Sequence, residues 1–156
     1  MGRLSLIFST ALGVGYLPWA PGSFGTLWGF LLFYLLGAVA AFNSLTMGLV
    51  TLALSAFAVL TCHFSEKQLG THDASILVID EVVGYLVAVW GFSYSFKTAA
   101  LAYVLFRFFD ILKPWPVGLV DKKVGGGLGV VLDDVVAGIL ANVVLRLGIF
   151  LWGKIF

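Results

Sequence analysis

Long apolar stretches separated by short polar or glycine-rich segments dominate the pattern of this 156-residue chain. The stretches have lengths near the roughly 20 residues that cross the hydrocarbon core of a bilayer, and they cover 24–42, 47–64, 76–92, 98–112 and 130–152. A backbone in contact with lipid must satisfy its own hydrogen bonds, so each stretch is predicted to be a helix. The preceding segment, 2–23, is rich in glycine and proline. We expect it to form a short interfacial or re-entrant element.

The predicted architecture is therefore an all-α, polytopic membrane helix bundle of about five spans. Pro114 and Pro116 end the fourth span, because proline cannot continue the hydrogen bonding of a helix. No tandem repeat, low-complexity tract or linker divides the chain, so we expect a single domain over residues 1–156. The composition agrees: 61% of the residues are hydrophobic, 11% are charged and the mean hydropathy is +1.07.

The position of the charges is more informative than the net charge of +1, which gives no basic field for nucleic acid. The lone Cys62 excludes an intrachain disulfide framework and a multi-cysteine zinc site. With five alternating spans, one side of the membrane carries most of the basic residues: Arg3, Lys67, Lys113, Lys122 and Lys123. The opposite side carries Lys97 and Lys154. The positive-inside rule then predicts that the amino terminus and the loops carrying most of these basic residues are cytoplasmic.

Most of the acidic residues lie in or beside apolar segments, where an ionised carboxylate is energetically unfavourable. Five of the eight stand inside or at the ends of apolar segments: Asp80, Glu81, Asp110, Asp133 and Asp134. A carboxylate near the membrane interior costs at least about 2.5 kcal/mol, so it should face an ionic partner, a metal or a water-filled cavity. The alternating spans place all five near the cytoplasmic face. Ion pairing with Arg107 or Lys113 is the structural alternative, but two cations cannot neutralise five carboxylates, and such oxygen ligands suit Mg²⁺, or Mn²⁺ in its place.

Arg107, Asp110 and Lys113 are spaced by three residues, which places them along one edge of a helix. That edge combines anion-binding groups with a metal ligand. Magnesium commonly binds through a few carboxylates and a substrate phosphate, while arginine and lysine hold the remaining phosphate oxygens. The pattern indicates phosphate chemistry.

Two loops add candidate residues. The glycine-rich segment 13–26 leads into the first span, and helix amino termini attract anions, so Thr26 is a candidate phosphate ligand. The same segment is also readable as a structural turn, since no Walker-type lysine follows it. In the second cytoplasmic loop, His72 and Asp73 come within reach of Asp80 if the loop folds back. His72 is then a candidate general acid.

A small residue follows each acidic pair by three or four positions. Gly84 follows Asp80 and Glu81, while Ala137 and Gly138 follow Asp133 and Asp134: these positions share a helix face. Small residues on such a face allow a neighbouring helix to approach closely.

Four sequence strings together resemble the phosphatidylglycerophosphatase A family of bacterial membranes. They are GYLPWAPGSFGT at 15–26, IDEVVG at 79–84, FRFFDILKPWP at 106–116 and GGLGVVLDDVVAG at 126–138. The resemblance covers nearly the whole chain, in order. It implies Mg²⁺-dependent hydrolysis of phosphatidylglycerophosphate to phosphatidylglycerol and phosphate, at the cytoplasmic face of a bacterial inner membrane. The matching positions are the five buried acids, Arg107 and Lys113, with His72 and Asp73 in a segment that is also similar.

The resulting hypothesis is a lipid phosphatase whose five acids hold one or two Mg²⁺ ions beside the substrate phosphate. Lys122 and Lys123 would contact the second phosphate of the lipid or anchor the chain to anionic lipid. An ion-coupled transporter is the alternative, because intramembrane carboxylates also mark ion pathways. A noncatalytic lipid-binding or assembly subunit is a third reading. The expected partners are the lipid substrate and membrane lipid, with no nucleic acid, and an oligomer is not derivable from the sequence.

Overall fold

A computed structural model of the protein describes residues 2–38 and 43–155, and every regular element in these ranges is helical. The seven α-helices are α1 (Gly2–Ser9), α2 (Pro21–Gly37), α3 (Ser44–Leu69), α4 (Ile79–Ala88), α5 (Phe96–Leu112), α6 (Val117–Lys123) and α7 (Gly126–Ile155). A short 3₁₀ turn, Val14–Tyr16, lies between α1 and α2. The predicted all-α class is confirmed for the described residues.

The lengths of the helices differ from the five predicted spans. Two of them are long and apolar enough to cross a membrane, over Ser44–Leu69 and Gly126–Leu151. The predicted span 76–92 shrinks to the ten residues of α4, which extend only about 15 Å, half the thickness of a hydrocarbon core. Five spans are therefore not confirmed. Residues 39–42, the end of the first predicted span, lie outside the described residues.

The segments predicted as loops contain regular structure as well. The amino-terminal element folds as α1 and the 3₁₀ turn, and the Val78 N–H donates to the Ser9 carbonyl at 2.8 Å. The predicted loop 113–129 contains α6 and the first turn of α7. Both segments are folded onto the helices beside them.

α4 is the central helix, packed against α2, α3, α5 and α7. Its contact with α7 is made by glycines: a Cβ atom added to Gly84 would lie 2.8 Å from the Asp134 carbonyl oxygen, and one on Gly138 would lie 3.0 Å from Val87 Cβ. These glycines follow the two acidic pairs, so the predicted close approach is confirmed. The contact places the start of α4 beside the acidic residues of α7.

The last turn of α4 is capped by side chains of α7. The Asn142 amide donates to the carbonyls of Val87, Ala88 and Trp90 at 3.2, 2.9 and 2.9 Å. Arg146 donates to the Trp90 carbonyl at 2.8 Å and to Asn142 Oδ1 at 2.7 Å. An unpaired carbonyl in apolar surroundings costs several kcal/mol, so these two side chains allow a short helix to end there.

The helices alternate in direction, which gives the bundle two distinct ends. The amino termini of α2, α4 and α7 meet the carboxyl termini of α3 and α5 at one end, where Gly127 lies against the backbone of His63. At the opposite end, Trp90 Nε1 donates to the Ser44 carbonyl at 2.8 Å. All the acidic pairs predicted from the sequence lie at the first end.

Apolar side chains cover much of the outside of the long helices. Leu52 of α3 is 68% exposed, and Leu147 and Phe150 of α7 are 54% and 57% exposed. Many exposed apolar side chains along a long helix are typical of a contact with lipid or another protein.

We expect Gly138→Ala to destabilise the protein by about 1–3 kcal/mol, because the new methyl group would press on the α4 backbone. Gly148→Ala in the same helix is the matched control, since a Cβ there meets nothing within 4 Å. Thermal unfolding of both variants in detergent measures the difference. Equal stability of the two variants would show that the α4–α7 contact is loose.

Candidate active site

Three carboxylates from α4 and α7 form what we call the acidic centre: Asp80, Glu81 and Asp134. One oxygen from each lies within 4.8 Å of the others. Asp80 and Asp134 are only 6% and 3% exposed, and among the described residues Asp80 Oδ1, Glu81 Oε2 and Asp134 Oδ2 are buried without a hydrogen-bond partner. Buried anionic oxygens that lack a partner are costly. Their number and chemistry fit a divalent cation with oxygen ligands.

The helix geometry explains how these side chains meet. Asp80 and Glu81 occupy the first turn of α4, where the helix dipole stabilises negative charge. Asp134 lies on the α7 face that touches Gly84. The close contact of α4 and α7 at Gly84 therefore brings Asp80 and Glu81 next to Asp134.

Arg107 of α5 lies at the edge of the acidic centre. Its Nη1 donates to Asp110 Oδ2 at 2.5 Å and stands 3.8 Å from Glu81 Oε1. Asp110 in turn lies close enough to Glu81 and Asp134 for their charges to interact. Arg107 Nε is buried without a partner among the described residues. The guanidinium therefore retains donor capacity for an anionic ligand.

The glycine-rich segment 13–26 brings the amino terminus of α2 onto this edge. A Cβ on Gly22 would lie 3.0 Å from Arg107 Nη1 and would overlap Glu81 Oε1. The Tyr103 hydroxyl donates to the Ser23 carbonyl at 3.1 Å, which ties α5 to the first turn of α2. Thr26 is fully buried and its hydroxyl donates to the Gly22 carbonyl at 2.9 Å. A role for Thr26 in phosphate binding stays a prediction.

Lys113 forms a second charged group, with Asp133 of α7 and Asp121 of α6. Lys113 Nζ donates to Asp133 Oδ2 at 2.7 Å and also to Asp121 Oδ1. Neighbouring residues on a helix point about 100° apart, so Asp133 faces Lys113 while Asp134 faces α4. Burial by itself would lower the pKa of Lys113, but the hydrogen bonds to both carboxylates raise it above its ordinary value. Lys113 is therefore charged at neutral pH.

The loop that carries His72 and Asp73 folds back toward the bundle. Glu66 of α3 accepts the Asp73 N–H at 2.9 Å with the same oxygen that lies 2.5 Å from His72 Nδ1. Asp73 is close enough to Asp133 for their charges to interact. Lys122 and Lys123, by contrast, are exposed in the last turn of α6. Their predicted contact with a second phosphate stays a prediction.

Sequence reasoning missed Glu66 and Asp121. Glu66 lies beyond the predicted span 47–64, so its position in the last turn of α3 was not evident from the sequence. Asp121 gave no signal either, since its pairing with Lys113 depends on how α6 folds back.

An acidic centre flanked by Arg107 and the paired Lys113, in an all-helical apolar chain, has the chemistry to bind a cation together with a phosphate group. A model of the family described as phosphatidylglycerophosphatase A matches residues 7–149. The chain belongs to this family, as the resemblance of its four sequence strings implied, and it is a phosphoric monoester hydrolase.

Curated relatives agree over most of the chain. The Escherichia coli (strain K12) phosphatidylglycerophosphatase A is 30% identical over 89% of this chain and 80% of its own length. The Haemophilus influenzae phosphatidylglycerophosphatase A is 33% identical over 89% of this chain and 85% of its own length. A Bacteroides thetaiotaomicron protein, provisionally named phosphatidylinositol-3-phosphatase, is 32% identical over 91% of each chain. No solved structure matches the chain.

Lys113→Met should lower the free energy of unfolding by roughly 1–3 kcal/mol, because it leaves two partly buried carboxylates without their cation. The double variant Lys113→Met, Asp133→Asn should recover part of that loss. Lys97→Met, in the first turn of α5, is the control, since Lys97 is exposed. Chemical unfolding in detergent gives the values. A Lys113→Met variant as stable as Lys97→Met would contradict the structural role of the pair.

Proposed function

We propose that this chain removes the terminal phosphate of phosphatidylglycerophosphate, giving phosphatidylglycerol and inorganic phosphate, in a Mg²⁺-dependent reaction. The observation that carries the proposal is the acidic centre, with its three unpartnered oxygens beside the Arg107 guanidinium. The names of the Escherichia coli and Haemophilus influenzae relatives support this lipid as the substrate.

The residues that would hold the cation are Asp80, Glu81 and Asp134, with Asp110 beside them and Asp133 one position away on α7. Mg²⁺, or Mn²⁺ in its place, would offset phosphate charge and lower the pKa of water. Several carboxylate oxygens at one end of a bundle suit either ion better than they suit a soft metal.

The remaining side chains have roles that follow from their positions. Arg107 offers a planar fork of donors to two phosphate oxygens. Lys113 holds Asp133 by a hydrogen bond, and the positive charge of Lys113 lies at the same end of the bundle as the acidic centre. His72, whose Nδ1 is committed to Glu66, keeps Nε2 for proton transfer to the leaving glycerol oxygen. Lys122 and Lys123 would meet the second phosphate of the lipid or the anionic membrane surface.

We further infer that the chain is a multi-pass protein of the bacterial cytoplasmic membrane, with its active site on the cytoplasmic face. Two membrane-length helices and the exposed apolar surfaces of α3 and α7 support membrane insertion. The end that carries the acidic centre also carries most of the lysines, which supports a cytoplasmic orientation.

The transporter alternative is not favoured. Carboxylates of transport pathways lie near the midplane between paired repeats, whereas these acids lie at one end of the bundle. The three similar proteins described above are all named as phosphatases.

Asp80→Asn and Asp134→Asn should each lower kcat/KM by about 10²-fold or more, since each removes a charged ligand from the acidic centre. The assay measures Mg²⁺-dependent phosphate release from phosphatidylglycerophosphate by purified protein, with chelator as a second arm. Lys97→Ala is the control for a surface change. Full activity in both variants, or in excess chelator, would refute the metal assignment.

Arg107→Lys should raise KM about tenfold with a smaller change in kcat, because lysine keeps the charge but loses the two-pronged contact. Arg3→Lys, at an exposed position of α1, is the matched control. Phosphatidylinositol 3-phosphate serves as the comparison substrate. Faster turnover of that lipid than of phosphatidylglycerophosphate would reassign the substrate while keeping the reaction class.

A further inference from the structure

Tyr103 of α5 forms a hydrogen bond to α2 that the chemistry proposed above does not use. The bond is partly buried, and in it the Tyr103 hydroxyl donates to the main-chain carbonyl of Ser23 at 3.1 Å. Tyr103 stands four residues before Arg107, so the two side chains share a face of α5. The hydroxyl therefore ties the face of α5 that carries Arg107 to the first turn of α2.

Gly22, the residue before Ser23, lies directly against the site. It is buried, and a Cβ atom added to it would lie 3.0 and 3.2 Å from Arg107 Nη1 and Nη2 and would overlap Glu81 Oε1. No side chain fits between α2 and these two groups. The main chain of α2 thus forms a wall that touches both Arg107 and Glu81.

This wall limits the orientations that the guanidinium can take. Arg107 Nη1 stands 3.8 Å from Glu81 Oε1, beyond hydrogen-bonding distance, and donates instead to Asp110 Oδ2 at 2.5 Å. Arg107 Nε is buried without a partner among the described residues. Gly22 on one side and Asp110 on another therefore fix the plane of the guanidinium. A two-pronged contact with phosphate oxygens depends on the orientation of that plane.

We propose that Tyr103 is a positioning residue for the phosphatase reaction. Its bond to the Ser23 carbonyl holds Gly22 against Arg107, and Gly22 in turn keeps the guanidinium oriented for the substrate phosphate. The inference rests on the proposed function, since Arg107 is the phosphate ligand assigned there. Tyr103 acts through Gly22 and Arg107 and is not itself a ligand of the phosphate.

Tyr103→Phe tests the inference, because it removes the hydroxyl and keeps the ring. It should raise KM for phosphatidylglycerophosphate about fivefold, the scale of one lost hydrogen bond, with a smaller change in kcat. The inhibition constant of inorganic phosphate should rise by a similar factor, since this product would meet the same guanidinium. Steady-state kinetics of the purified protein in detergent, at saturating Mg²⁺, give all three values.

Tyr85→Phe is the matched control, because it removes the same group from the same kind of bond. The Tyr85 hydroxyl is buried and donates to the main-chain carbonyl of Ala99 at 3.0 Å, which joins α4 to α5 without involving α2. Tyr85→Phe should keep the wild-type KM even where it lowers thermal stability as much as Tyr103→Phe does. Thermal unfolding checks that the variants are folded. Should Tyr103→Phe fail to fold, Tyr103→Met, which also lacks a donor, takes its place with the same expected result.

A double variant shows whether Tyr103 acts through Arg107. Tyr103→Phe should add little to the KM of Arg107→Lys, because lysine has no guanidinium plane to orient. Two changes that remove the same interaction are not additive.

The outcomes separate this inference from the proposed function. Absence of hydrolysis by the wild type overturns the function, and a wild-type KM in Arg107→Lys overturns the role of Arg107. If those two behave as proposed, the inference about Tyr103 is overturned by any of three results. These are a wild-type KM in Tyr103→Phe, an equal rise of KM in Tyr85→Phe, and a double variant whose rise in KM is the product of the two single rises.

Discussion

The direct contact between the backbones of α4 and α7 is the constraint on which the acidic centre depends. Gly84 and Gly138 leave no room for a Cβ atom between the helices, and this closeness brings Asp80 and Glu81 within reach of Asp134. With the helices at the 8–10 Å separation that larger side chains impose, the three carboxylates would stand apart in separate environments. The glycines thus set the spacing of the three carboxylates.

Around this contact the structure keeps two cationic groups apart. Arg107 stands with Glu81 and Asp110, whereas Lys113 stands with Asp121 and Asp133. The division arises from two adjacent residues of α7, which point in different directions from one helix. One aspartate therefore serves the acidic centre while its neighbour anchors α5 and α6. The arrangement leaves more carboxylates than cations, which is the condition for binding a positive ion.

Much of this site follows from local sequence features. Acids in apolar segments, the three-residue spacing of Arg107 and Asp110, and the small residues after each acidic pair are all evident without coordinates. The predicted helix edge does not extend to Lys113, which follows the end of α5 in a left-handed conformation and pairs with Asp121 and Asp133. The length of α4 is not, because the apolar run 76–92 gives no sign that its carbonyls find donors on Asn142 and Arg146, more than fifty residues later. The opposed directions of Asp133 and Asp134, and the partners of Glu66 and Lys113, likewise depend on tertiary packing that spacing alone does not encode.

The capping of α4 by α7 has a consequence for how the protein is made. α4 is half the length of a membrane span, so it cannot satisfy a bilayer by itself. The side chains that complete both of its ends, Asp134 beside its first turn and Asn142 with Arg146 at its last, belong to the final helix of the chain. During synthesis, α4 has no full set of partners until α7 has emerged. Assembly of the acidic centre is therefore tied to completion of the polypeptide, and a chain interrupted before α7 lacks Asp134 and the residues that cap α4.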